Sequence, residues 1–246
     1  MIMKDIIEFC DFKLRGFIHN PKIDEENPYE YAMYLLALKE LDRNRYEEYS
    51  RILCNKLDFR SINLQNPDYT YRIGSLILLR ICSTYSQSAE NLLYEYRDEV
   101  IRFVERFRDI AGEDQVQRVV LALRIAYGND DYVNRLVREI ISKQFMGSKA
   151  DRRDYVNRFN TALLTLYLME KNDVRLANEV AFTICNPNAM NEPLEYYLCA
   201  IALKQLNVFW YEFWRKIKKV CKKVLSKVLS IALKYLIELL IRFMKI

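Results

Sequence analysis

The chain has 246 residues, 51% of them hydrophobic and 29% charged, enough to bury a core and keep a solvated surface, as one large domain or two small ones. Five Gly and five Pro are too few for an all-β sandwich or a Rossmann-type sheet, which use Gly at turns and phosphate-binding loops, and they suit long helices. The net charge of +5 is uneven: residues 207–246 hold ten Lys or Arg against Glu212 and Glu238, which leaves 28 basic and 31 acidic residues before them and points to an anionic partner for the tail, or to a tail folded back on an acidic body.

At the N-terminus, Asp5 falls too early for the apolar run of about 7–15 residues that a secretory signal needs. Apolar residues then recur at helical spacing. Segments 31–41 (YAMYLLALKEL), 73–81, 116–127, 159–169 and 194–206 each predict a strongly apolar helix. Each is followed by a polar break, near Asn44, Ser86, Asn129, Asn172 and Asn207, and then by a more amphipathic helix over 45–57, 89–108, 131–145, 174–185 and from 209 onward. The breaks lie 42, 43, 43 and 35 residues apart, the range of two-helix repeats. LALKELDRNRYEEYSRIL at 36–53 and LALRIAYGNDDYVNRLVREI at 121–140 look alike, and the pattern resembles helical-hairpin solenoids in general, with no tetratricopeptide signature intact. The expected fold is all-α: stacked antiparallel helix pairs, as an α-solenoid-like array or an irregular bundle, with a long C-terminal helix. The expected division is a body over 1–208, with a candidate subdomain break at 146–153 (MGSKADRR), and a tail over 209–246.

Punctuation residues agree. Pro28, Pro67, Pro187 and Pro193 fall between pairs, with Asn27, Asn66 and Asn191 upstream as candidate caps. Asp68 and Asp114 suit helix N-termini, and Gly112 and Gly147 suit helix ends.

Catalytic signatures are weak. The one histidine, His19, sits in a loop-like stretch, Gly16–Pro28, with no Ser or Cys elbow nearby, and reads as a surface residue. Phosphate-cradling Gly motifs are missing. Asp24-Glu25-Glu26, Asp130-Asp131 and Asn172-Asp173 are the acidic clusters that could hold Mg²⁺. The metal motif of a terpene-synthase-like site, however, wants a Glu where Val137 and Val180 stand, so Asn and Asp read as turn and cap residues. Six scattered Cys with no Cys-x-x-Cys and a single His argue against zinc. They read as buried thiols of a reducing compartment, hence a cytoplasmic protein, with a disulfide as the alternative for a hyperthermophilic source. No cofactor is expected.

The C-terminal segment carries the strongest signal. Phe209, Trp210, Tyr211, Phe213 and Trp214 form the densest aromatic cluster, and Arg215, Lys216, Lys218, Lys219, Lys222, Lys223 and Lys227 follow on one broad face opposite Ile217, Val220, Cys221, Val224 and Leu225. From 228 the polar side narrows to Ser230, Lys234, Glu238, Arg242 and Lys245, so this half must be buried somewhere: in the body, against another protein or a second copy, or on a membrane surface. Lys234 and Glu238 interrupt any span. These patterns predict a non-catalytic helical adaptor or scaffold that binds a protein partner. Its C-terminal helix would dock on that partner, a second copy or an anionic membrane surface. The contact residues are Trp210, Trp214, Arg215, Lys218, Lys219, Lys222, Lys223 and Lys227. The alternatives are a nucleic-acid-associated subunit using 210–227, and, third, an all-helical Mg²⁺ enzyme.

Overall fold

A computed structural model describes residues 2–19, 21, 27–110, 113–136, 139, 174–186 and 190–244. Among these the protein is nearly all helical, without strands. The helices are α1 (Ile2–His19), α2 (Pro28–Leu41), α3 (Arg43–Lys56), α4 (Tyr69–Cys82), α5 (Gln87–Ile110), α6 (Glu113–Tyr127), α7 (Val174–Thr183) and α8 (Pro193–Met244), with a short 3₁₀ turn at Phe59–Ser61 and a helical run at 131–136. The expected helix at 159–169, the break at 146–153, most of 137–145, and the clusters Asp24-Glu25-Glu26 and Asn172-Asp173 lie outside the described residues.

Stacking follows from where the apolar residues fall. α2 packs on α4, and α4 on α6, forming an inner row. α3 and α5 lie along this row: α3 contacts α2 and α4, and α5 contacts α4 and α6. The inner helices are apolar nearly all round, because they have neighbours nearly all round: α2 buries Ala32, Met33, Tyr34, Leu35, Leu36, Ala37 and Leu38 without a gap. The outer α3 buries only Ser50, Leu53 and Cys54. This is the expected array of stacked helix pairs.

Side-chain caps set the breaks. Asn27 accepts from the Tyr29 amide at 3.0 Å, and Pro28 occupies the first turn of α2. The α2–α3 break is a single residue, Asp42, whose backbone N–H closes α2 on the Leu38 carbonyl at 2.7 Å while its carboxylate accepts from the Arg45 amide at 3.2 Å. The break expected near Asn44 therefore falls two residues early, where a carboxylate rather than an amide does the capping. Asp68, and not Asn66, caps α4, accepting from the Thr70 amide at 2.8 Å. Asn66 instead makes a turn, accepting from the Asp68 amide at 2.9 Å. Before α8, Asn191 is not the cap. Glu195 Oε2 accepts from the Asn191 and Glu192 amides at 2.9 and 3.2 Å, a carboxylate three residues into the helix reaching back.

Three expectations are corrected. Gly16 and His19 do not lie in a loop: α1 runs through both, seating Ile6, Cys10, Leu14, Phe17 and Ile18 on α2 and α3. The cysteines are not all buried free thiols. Packing of α3 on α4 brings Cys54 and Cys82 to a Cα–Cα separation of 5.2 Å in a disulfide, while Cys10, Cys185 and Cys199 are free and buried and Cys221 is free and exposed. Lastly, no break occurs at Asn207. No Gly or Pro follows Pro193, and an exposed Asn inside a helix costs only about 0.7 kcal/mol against Ala, so α8 continues through it.

The chain divides into two compact units, residues 1–205 and 206–246. The first turns of α8 belong to the first unit. Tyr196 stacks on Phe9 with centroids 4.3 Å apart and meets Tyr34 edge-on, Arg118 pairs with Glu192 at 2.6 Å, and Lys204 pairs with Glu40. The second unit is the remainder of α8.

Candidate docking surface on the C-terminal helix

Unbroken helix from Trp210 to Leu225 puts the aromatic cluster in phase with the aliphatic stripe. At about 100° per residue, Trp210, Phe213, Trp214, Ile217, Val220, Cys221, Val224 and Leu225 share an arc of about 140°. Lys218 borders one edge of this arc and Lys216 the other, while Arg215, Lys219 and Lys222 occupy the opposite side, all of them exposed. The helix expected from 209 onward already held the aromatics and the stripe together, but their common exposure was not legible in the sequence.

The arc is open to solvent. Trp210 is 51% exposed, Phe213 41%, Trp214 55%, Val220 61%, Val224 54% and Leu225 63%. The rings pack on one another along the helix: Phe213 meets Trp210 edge-on at 5.5 Å and Trp214 at 5.9 Å, and Phe209 lies over Phe213 at 6.2 Å. Half-exposed aromatic and aliphatic side chains in one contiguous patch are the surface signature of an interaction site. Of the expected contact residues, Trp210, Trp214, Arg215, Lys218, Lys219 and Lys222 are thus brought onto one short helical segment as exposed groups. The side chains of Lys223 and of 227–246, with the burial expected for 228–246, lie outside what the structure describes, although the backbone is helical to Met244. No helix among the described residues is long and apolar enough to cross a membrane.

Among the described residues of the first unit, Asp130 and Asp11 are engaged structurally. Asp130 Oδ1 accepts from the Tyr132 and Val133 amides at 2.9 and 3.1 Å, capping 131–136, and Oδ2 accepts from Arg97 Nε at 2.6 Å. The Arg97 guanidinium holds its carboxyl at about 2, outweighing partial burial. A polar cleft of about 430 Å³ between α1 and α3, lined among others by Asp11, Arg15, His19, Arg45, Glu48 and Tyr49, was not foreseen, because α1 was not. Its signal is present in the sequence as Ile6, Cys10, Leu14 and Phe17 at spacings of four and three, which leaves Asp11 and Arg15 beside the apolar stripe. Asp11 is buried. Burial pushes its carboxyl up, but the Tyr49 hydroxyl and Arg15 Nη2, at 2.5 Å, donate to it, Arg45 lies 3.4 Å away, and together they hold it below the usual carboxylate range. His19 is exposed at the rim, with its carbonyl accepting from Lys56 Nζ at 2.9 Å. Arg45 and Tyr49 of α3 both reach Asp11 of α1, which makes this cleft an interhelical clamp.

No family model, curated protein or solved structure matches this chain.

Proposed function

We propose that the protein is a non-catalytic helical scaffold. Its stacked pairs form a rigid body, and the 208–226 segment of α8 is its docking element. One observation carries this reading: Trp210, Phe213, Trp214, Val220, Val224 and Leu225, which a stable fold buries by default, are between 41% and 63% exposed on a single arc. Burying such side chains contributes about 1.5–3 kcal/mol each, so several of them in register supply a docking energy that no isolated surface residue has. The reading places the docking element on a partner or peripherally on a membrane; the Cys54–Cys82 disulfide removes the free-thiol argument for the cytoplasm. Exchange of Trp210, Phe213 and Trp214 together for Ala tests it. The melting temperature is expected to hold within a few degrees, because the rings are not core. Association, read as recovery of membrane-fraction or protein partners from the native source, is expected to be lost. A variant that unfolds, or that retains full association, contradicts the proposal.

The nucleic-acid reading has one observation behind it, the exposed Arg215, Lys218, Lys219 and Lys222. It leaves the aliphatic half of the arc without a role.

A further inference from the structure

We infer that the occupant of the 208–226 docking face is an anionic lipid surface, with the helix lying in the plane of the interface; this rests on the docking function proposed above. Charge complementarity selects the partner. Between 208 and 226 the helix carries Arg215 and five Lys against the single acid Glu212, so its partner must be anionic. A second copy of the helix brings the same six positive charges and only its own Glu212 to match them. A nucleic-acid strand must stack on aromatics and place phosphates on cations from one side. Here Trp210, Phe213 and Trp214 lie on one arc, and Lys219 and Lys222 lie on the other. A lipid surface accepts this division as it stands: the apolar arc enters the acyl boundary and the cations meet headgroups above it. Lys216 and Lys218, one beyond each edge of the arc, have long stems that run along the apolar surface while their ammonium groups reach outward. Indole rings favour that same depth. With Lys predominating over Arg, the attraction is to charge rather than to one phosphate geometry.

The chain supplies its own probe, since its two tryptophans are Trp210 and Trp214. Full-length protein is mixed with phosphatidylcholine vesicles, alone or with 30% phosphatidylserine, and followed by intrinsic emission and flotation. The expected result is a blue shift and flotation with the anionic vesicles only, both reversed by high salt. Lys218→Gln with Lys222→Gln is expected to weaken partitioning about 25-fold, at about fivefold for each lysine near the surface. A variant with Val220 and Val224 changed to Ser, which keeps every charge, is expected to bind without the blue shift of a seated helix. Absence of any shift with anionic vesicles overturns the lipid assignment. If the emission shifts instead on self-association or on adding single-stranded DNA, the lipid assignment falls and the docking function stands. If the indoles are already shielded in dilute protein, both fall.

Discussion

Gly74 is the residue where α4 crosses the start of α2. A Cβ placed there would lie 2.2 Å from the Tyr29 nitrogen and 2.4 Å from the Pro28 carbonyl carbon, both of them backbone atoms that cannot rotate aside. The close approach lets the inner row stack, and only Gly permits it. Gly74→Ala is therefore expected to destabilise by about 1–3 kcal/mol or more, checked by urea titration. Asp130 acts through charge. Its carboxyl is held near 2 in the fold, below the ordinary value of about 3.9 for an unfolded Asp, so the ionised form is the one the fold favours. Its stabilisation is fully present above about pH 5 and is lost as pH falls through about 2. Because Asp130 and Arg97 are each about a quarter exposed, the contribution is on the order of 1–2 kcal/mol. Asp130→Asn is expected to flatten the decline in stability between pH 5 and pH 2, measured by denaturant midpoints at each pH. At this scale the sequence was readable wherever a cap carries its own side chain, as with Asn27, Asp68 and Asp130. It was misleading at Asn66 and Asn191, where an acid nearby caps instead.

Helices were legible because their apolar residues repeat at three and four, and α2, α4 and α6 stand at the expected places as the inner row. What was illegible at the element scale depends on packing between segments distant in sequence. Cys54 and Cys82 are 28 residues apart and carry no motif. Only the seating of α3 on α4 shows them to be partners. Closing a loop of that length removes unfolded-state entropy worth about 3–4 kcal/mol. Reduction by dithiothreitol, or Cys54→Ser with Cys82→Ser, is expected to lower the unfolding free energy by roughly that amount without changing helical content, followed by circular dichroism. The apparent break at Asn207 was illegible for the opposite reason. Asn terminates helices only where a turn or a left-handed residue follows, and here Val208 and Phe209 continue the helix.

For the whole molecule, the division into units over 1–205 and 206–246 makes a further prediction. A chain ending at Asn207 is expected to retain a cooperative thermal transition, because it keeps the contacts that α8 makes within the first unit, such as Tyr196 on Phe9, Lys204 on Glu40 and the buried Gln205. Loss of that transition on differential scanning calorimetry would show that the tail is part of the core. The docking surface itself was half legible. Its residues, and one helix from 209 onward that holds them all, were legible from composition, charge and spacing, but their exposure needed the fold. The most direct test of that exposure is acrylamide quenching of the two tryptophans in dilute full-length protein. The account predicts long-wavelength emission and quenching close to that of free indole. Short-wavelength emission with strong protection would contradict it, because the face at Trp210 and Trp214 would then already be covered.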